Sequence, residues 1–120
     1  MDNEGFRGHV GLEHVENEGD DVSVVALDAD ERHLNAHGTV HGGALATLCD
    51  SAMGAAVATG ENRPVTIEMK VTYLEPAPAG RILAKARVRR RGSRITIVEC
   101  DVTDGDGSDV AHAIATFTTL

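Results

Sequence analysis

Residues 33–57 read HLNAHGTVHGGALATLCDSAMGAAV. A His-Gly-Gly step at 41–43 opens a run of small and apolar residues, which predicts a buried helix. Asp50 is the only Asp, Glu, Lys or Arg in this run, and its neighbours three and four positions away are uncharged. A carboxylate in apolar surroundings is costly unless another group pairs with it. Asp50 is therefore expected either to find a partner in another segment or to be kept for chemistry.

The helix is predicted to run from Gly42 to about Thr59, because Gly60 and Pro64 follow it. Two short alternating runs precede it, and four runs rich in β-branched residues follow it. A single helix among antiparallel strands has to bury its apolar side against one sheet face. The fold class is therefore α+β, with one long helix wrapped by an antiparallel sheet of about five to six strands. The predicted strands are 10–16, 22–28, 65–74, 81–90, 94–103 and 110–118.

The chain of 120 residues fits a single domain, residues 1–120, whose residues 1–8 are expected to be flexible. So small a core gains from burying apolar surface between copies, which favours a homo-oligomer. The formal net charge of −8 argues against nucleic-acid partners. The two cysteines lack a Cys-x-x-Cys spacing, the first residues do not form an export segment, and no apolar run is long enough to span a membrane. These features favour a cytoplasmic protein without a disulfide or a membrane partner.

The first turn of a helix presents unpaired N–H groups at the positive end of the helix dipole. At Gly42 and Gly43 no Cβ stands in front of these donors, so a ligand oxygen can approach closely. Such donors stabilise the oxyanion of acyl transfer, and the pair is therefore a candidate oxyanion hole. The alternative is that the two glycines only turn the loop into the helix.

Asp50 lies eight residues beyond Gly42, which corresponds to about 12 Å along a helix axis. One reacting carbonyl cannot touch both groups within one chain. If the two groups cooperate, Asp50 has to come from a second subunit across a two-fold axis, where one contact forms two equivalent sites. The alternative is a carboxylate that only accepts hydrogen bonds from its own chain.

The motif Asn-x-x-Gly-x-x-His-Gly-Gly at residues 35–43, followed by Asp50, resembles the signature of the PaaI-like acyl-CoA thioesterases of the hotdog fold. The segment PVTIEMKVTYLEPAPAG, residues 64–80, also resembles the strand and turn after the family's helix. The resemblance extends over nearly the whole chain from about residue 10. It implies hydrolysis of an acyl-CoA or aryl-acyl-CoA to free acid and CoA, with no cofactor besides the CoA of the substrate. It also implies a dimer of hotdog dimers, which is a homotetramer.

This resemblance implies a role for five residues. The Gly42 N–H would polarise the thioester carbonyl, while Asn35 and His41 order the loop and the helix entrance. Asp50 would be the nucleophile or the general base that activates water, and Thr66 matches a Ser or Thr that positions the water or the carboxylate in relatives. Strict alternation places Thr66 on the face opposite the apolar side chains, so only a local bulge or a subunit interface makes it reachable. The predicted apolar face consists of Val65, Ile67, Met69, Val71 and Tyr73.

Gly43, Arg89 and Arg91 are the predicted substrate-binding residues. The two arginines belong to a basic strip that alternation places on one strand face. Such a strip in an acidic protein is a candidate site for the phosphates of CoA, and the alternative is a solvated strand face that keeps the sheet from aggregating. The strip consists of Arg81, Lys85, Arg87, Arg89, Arg91 and Arg94.

Three histidines, His33, His37 and His41, are spaced by four residues, as metal ligands on a helix would be. Gly38 and the β-branched residues that follow it predict a loop instead, so no metal site is predicted. Histidines that bond the loop or water are expected.

Two other functions use the same fold. A module that senses acyl-CoA would bind it without turnover, although the regulators of this type carry an appended DNA-binding segment for which this chain has no room. A hotdog enoyl-CoA hydratase would require Asp-x-Asn-Pro-x-His, whereas residues 28–33 read DADERH and lack the Asn and the Pro.

Overall fold

The computed structural model describes residues 5–58 and 62–120. The predicted order of two strands, one long helix and four strands is confirmed, with the described ends within two residues of the predicted ones; Thr59, the predicted end of the helix, lies outside the described residues. The α-helices are α1 (Gly5–Val10) and α2 (Gly42–Val57), and a short 3-10 helix spans Glu31–His33. The strands are β1 (Leu12–Asn17), β2 (Val22–Ala29), β3 (Pro64–Tyr73), β4 (Gly80–Arg91), β5 (Thr96–Thr103) and β6 (Asp109–Thr119).

The six strands form one antiparallel sheet in the order β1-β2-β4-β5-β6-β3, so β1 and β3 are its edges. Helix α2 lies across one face of this sheet and contacts all six strands. The strands beneath it carry small buried side chains such as Ala84, Ala86 and Ala113, which let the helix approach closely. Cys49 of α2 and Cys100 of β5 are buried free thiols of this core. The predicted α+β class, with one long helix against an antiparallel sheet, is therefore confirmed.

Strand β3 contains a bulge that alternation does not predict. Thr66 pairs with Phe117 and Glu68 pairs with Thr116, so Ile67 is an extra residue. In the part of β3 that precedes the bulge, the two faces are exchanged relative to strict alternation. Thr66 therefore lies on the face that α2 covers. The predicted apolar face is therefore wrong in its first half, since Val65 and Ile67 are 40% and 54% exposed, whereas Met69 and Val71 pack against the core.

The loop before α2 is fixed by the buried side chain of His33. The His33 Nδ1 accepts from the Asp30 N–H at 3.0 Å, and the Nε2 donates to the Val10 carbonyl at 2.6 Å. Val10 ends α1, a short helix that the sequence analysis did not predict. Farther along the loop, the Val40 N–H donates to the Ala77 carbonyl at 2.9 Å. These bonds hold the start of α2 against the turn after β3. Among the described residues, no helix is long and apolar enough to span a membrane.

Candidate active site

Asn35 organises the loop that leads into α2. Its Oδ1 accepts from the N–H groups of His37 and Thr39 at 2.9 and 3.2 Å, and its Nδ2 donates to the Thr39 hydroxyl at 3.0 Å. Gly38 within this loop has a φ of +82°, a conformation that L side chains rarely adopt. Asn35 of the motif therefore forms hydrogen bonds within the loop, and Gly38 adopts the backbone conformation that the loop needs.

His41 caps the start of α2. Its Nδ1 accepts from the Gly43 N–H at 2.8 Å, which requires that nitrogen to be unprotonated. Of the two candidate oxyanion donors, the Gly43 N–H therefore already donates a hydrogen bond within its own chain. The Gly42 N–H forms no hydrogen bond with any described residue. Of the two donors of the candidate oxyanion hole, only the Gly42 N–H is therefore free of a hydrogen bond to the described residues.

Side chains approach both glycines closely. A Cβ at Gly42 would lie 3.1 Å from Cζ of Tyr73, and a Cβ at Gly43 would lie 3.0 Å from the His41 Nδ1. The His-Gly-Gly step therefore lets two side chains approach the backbone of the first helical turn. It does more than turn the loop into the helix.

Tyr73 at the end of β3 reaches this helix start. Its hydroxyl donates to the Gly42 carbonyl at 2.8 Å. Burial raises the pKa of Tyr73, and the neighbouring Cys49 thiol raises it further, so the phenol keeps its proton and remains a donor. Alternation predicts Tyr73 only as a member of an apolar face and does not predict this contact. A hydroxyl-bearing aromatic at the end of the strand after the His-Gly-Gly helix is the signal that could have found it.

Asp50 lies midway along α2 and is half-buried. Its Oδ1 accepts from the Thr66 hydroxyl at 2.6 Å, while its Oδ2 accepts no hydrogen bond from the described residues. The bulge at Ile67 makes the contact possible, as the sequence analysis required of Thr66. Gly42 and Asp50 belong to one continuous helix, so about 12 Å of helix axis separates them. The chain brings Thr66 to Asp50 and Tyr73 to Gly42, but it does not bring Gly42 to Asp50.

The basic strip on β4 is paired with carboxylates from neighbouring strands. Arg81 contacts Glu13 and Asp28 at 3.1 Å. Arg89 lies 3.3 Å from Glu99, and its side chain is 59% exposed. Such exposed pairs favour the interpretation of a solvated strand face. The remaining pairs are Lys85 with Glu18 and Arg87 with Asp101.

The prediction that Arg91 shares this face is wrong. A bulge between Val88 and Arg90 shifts the alternation of β4 and turns Arg91 toward the helix side. Its Nη1 donates to the Val57 carbonyl at 3.1 Å, and its Nη2 lies 2.8 Å from Asp21. A cation at a helix C-terminus is favoured by the helix dipole. Arg91 therefore caps the end of α2 in this chain.

Known proteins resemble this chain in sequence and in fold. A family model described as the thioesterase superfamily matches residues 37–111. Human acyl-coenzyme A thioesterase 13 is 34% identical over 84 residues, which cover 68% of this chain and 60% of the human protein. The structure of the conserved protein PA5202 from Pseudomonas aeruginosa has a TM-score of 0.91 at 35% identity and covers 98% of this chain and 94% of that chain.

The fold extends to more distant proteins. The Escherichia coli PaaI protein from the phenylacetic acid degradation operon has a TM-score of 0.89 at 23% identity, covering 95% of this chain and 83% of that chain. The family model spans more than half of the 120 residues and includes the helix start, Asp50 and Thr66. The chain therefore belongs to the thioesterase superfamily, and it shares the hotdog fold with the PaaI protein.

Proposed function

We propose that the protein hydrolyses acyl-CoA thioesters at sites shared between two subunits, each combining Gly42 of one subunit with Asp50 of its partner. One observation carries this proposal. The Gly42 N–H and the Asp50 Oδ2 are both without a hydrogen-bond partner among the described residues, yet they lie too far apart on one helix to serve one carbonyl. Family membership and the name of the human relative support the acyl-CoA substrate.

In the proposed chemistry, the Gly42 N–H and Asp50 act on the same thioester carbonyl. The Gly42 N–H donates to the thioester oxygen and stabilises the negative charge that develops on it. Asp50 either takes a proton from water, which attacks the carbonyl carbon, or attacks that carbon itself and is released by water in a second step. In both routes the first tetrahedral intermediate collapses, the C–S bond breaks and the CoA thiolate leaves. In the water route the thiolate takes up the proton that Asp50 removed from water. In the covalent route it takes a proton from solvent, and water then hydrolyses the acyl–Asp50 anhydride to the free acid. Because a thiolate leaves readily, these groups and water suffice for the reaction.

Pairing of strand β3 with its copy in a second subunit would bring the partner's Asp50 to Gly42. Strand β3 is an edge strand whose far edge has no neighbour among residues 5–58 and 62–120, and Ile67 and Tyr73 on it are 54% and 51% exposed. An exposed apolar edge favours pairing with a second copy. Antiparallel pairing of two β3 strands would bring the beginning of one strand to the end of the other. The Thr66–Asp50 pair of one subunit would then lie beside the partner's Tyr73 and Gly42.

The charges on β3 suggest where the two-fold axis passes. Glu68 and Lys70 flank Met69 on the face that points away from α2. If the axis passes at Met69, Glu68 of each subunit lies opposite the partner's Lys70, and opposite charges across paired strands are favourable. Because Ile67 is the extra residue of the bulge, the pairing shifts by one residue there, and the same register sets Thr66 opposite the partner's Val71. This position lies two residues from the partner's Tyr73. By family resemblance, two such dimers would form the tetramer.

Arg89 and Arg91 are proposed to have different roles. Arg89 stays exposed beside Glu99 and remains the candidate of the pair for a CoA phosphate. Arg91 is engaged at the end of α2. Gly43 is proposed to border the substrate without donating to it, because its N–H is held by His41.

The function is tested with purified protein and a panel of benzoyl-, phenylacetyl- and medium-chain acyl-CoA. We expect release of free CoA thiol, together with a molar mass in solution of a dimer or tetramer. Binding without thiol release would favour the sensing alternative. Loss of enoyl absorbance from an enoyl-CoA, assayed beside the panel, would favour the hydratase alternative. A monomer that turns over acyl-CoA would contradict the shared site.

A further inference from the structure

We propose that Tyr73 is a positioning residue, which together with His41 fixes the peptide between Gly42 and Gly43 and so aims the Gly42 amide at the substrate. The inference rests on the proposed function and adds a residue that the sequence motif does not contain. It starts from two contacts made by one peptide unit.

The Gly42–Gly43 peptide is held at both of its polar ends. Its carbonyl, on Gly42, accepts from the Tyr73 hydroxyl at 2.8 Å, and its N–H, on Gly43, donates to the His41 Nδ1 at 2.8 Å. A peptide unit is planar, so bonds at its two ends restrain its rotation. Two successive glycines would otherwise leave this turn with the greatest backbone freedom of any dipeptide. The Gly42 N–H belongs to the preceding peptide unit, whose carbonyl, on His41, accepts from the Ala44 and Leu45 N–H groups at 2.9 and 3.2 Å. Holding the peptide units on both sides of the Gly42 Cα restrains rotation there, which gives the candidate oxyanion donor a defined direction.

The Tyr73 ring adds a second restraint. It packs against Gly42 so closely that a Cβ there would meet three ring atoms, at 3.1, 3.2 and 3.4 Å. Tyr73 itself is anchored by the register of β3 with β6, where it pairs with Ala111, and by the next N–H, which Leu74 donates to Val110 at 2.9 Å. The position of the helix start is thereby tied to the end of the edge strand.

Tyr73 also lies where a substrate would enter. It lines a cavity of about 330 Å³ together with Gly42, Asn35, Leu45 and Glu75. In the proposed dimer the same strand pair would support both halves of the site, since Thr66 holds Asp50 and Tyr73 holds Gly42. Strand β3 would therefore position the nucleophilic side of one site and the oxyanion side of the other.

The test is Tyr73→Phe, which keeps the ring contact and removes only the hydroxyl. Because the donor acts on the transition state, we expect kcat to fall about tenfold with KM changed less than about twofold. Amide hydrogen exchange at Gly43 should accelerate, while the thermal midpoint of the protein changes little. Tyr73→Leu, which also removes the ring, should lower kcat further. Thr116→Val is the matched control, because it removes a hydroxyl that donates to Glu68 on the opposite sheet face.

The outcomes separate this inference from the proposed function. An active parent protein with an unchanged kcat in Tyr73→Phe would overturn the positioning role alone. A rise in KM with constant kcat would also overturn it, since it would indicate direct substrate contact. If the parent releases no thiol from any acyl-CoA, the function and this inference fail together. Thr116→Val is expected to match the parent in kcat, KM and Gly43 exchange.

Discussion

The Thr66 hydroxyl donates a 2.6 Å hydrogen bond to the Asp50 carboxylate, joining the edge strand β3 to the middle of α2. The contact exists because Ile67 is inserted as a bulge, which turns Thr66 from the outer face of the sheet toward the helix. One oxygen of Asp50 is thereby fixed. The other oxygen has no partner among the described residues, which suits a group that has to meet water or a substrate carbon.

Replacing Thr66 tests the value of this contact. Thr66→Val keeps the shape of the side chain and removes the donor, so Asp50 loses its orientation. We expect kcat for acyl-CoA hydrolysis to fall about tenfold, because misplacing a reacting group costs rate more than binding. Thr66→Ser retains a hydroxyl and should recover most of the rate. Equal rates for Val and Ser variants would contradict a role for this hydrogen bond.

Replacing Asp50 tests the reacting group itself. Asp50→Asn is nearly isosteric and can still accept from Thr66, so the variant should fold and assemble like the parent. Turnover should fall by about two to four orders of magnitude, as expected when a general base or nucleophile is lost. Asp101→Asn serves as the matched control, because Asp101 pairs with Arg87 on the solvent face of the sheet. Thiol release from Asp50→Asn at the parent's rate would remove Asp50 from the mechanism.

The Gly42 donor can be deleted without deleting a structural hydrogen bond. Gly42→Pro removes the N–H at the first helical position, where proline is well tolerated, and His41 before it already has an extended ψ of 135°. Gly42→Ala keeps the N–H and brings the same Cβ toward Tyr73, and is therefore the control for crowding. We expect the proline variant to be at least about a hundredfold slower than the alanine variant. Similar kcat values for the two would exclude the Gly42 N–H as the oxyanion donor.

Arg91 is expected to matter for stability rather than for substrate. Arg91→Met removes the guanidinium from the Val57 carbonyl and from Asp21 and should lower the free energy of unfolding by about 1–2 kcal/mol. Arg87→Met, which breaks an exposed pair, should lower it by at most about 0.5 kcal/mol. Urea unfolding at one protein concentration measures both. A several-fold rise in KM for acyl-CoA in Arg91→Met, with stability unchanged, would contradict the capping role.

The sequence predicted the larger features because each leaves a local signal. The small-residue helix begins at its His-Gly-Gly step, and the strands are separated by turn compositions such as the one after Tyr73. Helix α1 was missed because Gly5 and Gly8 within it lower its helix propensity. In α1 the local sequence pattern is weak, and contacts with the rest of the structure determine the conformation.

The site could be predicted only in part, for a physical reason. An inserted residue such as Ile67 looks the same in the sequence as one that keeps the alternation, so the faces of Thr66 and Arg91 were not fixed by pattern alone. Pairs such as Arg81 with Glu13 join residues far apart in the chain, and only the order of the strands brings them together. The contact of Tyr73 with Gly42 is equally non-local.

The central claim, that one site takes its donor and its carboxylate from different subunits, is tested most directly by mixed dimers. Asp50→Asn and Gly42→Pro subunits with different affinity tags are co-expressed, and dimers carrying both tags are isolated. Each mixed dimer would contain one site with an intact Gly42 and an intact Asp50 beside one site with neither. We predict thiol release far above that of either variant alone, approaching half of the parent's rate per dimer. Mixed dimers no more active than the two variants would contradict the shared site.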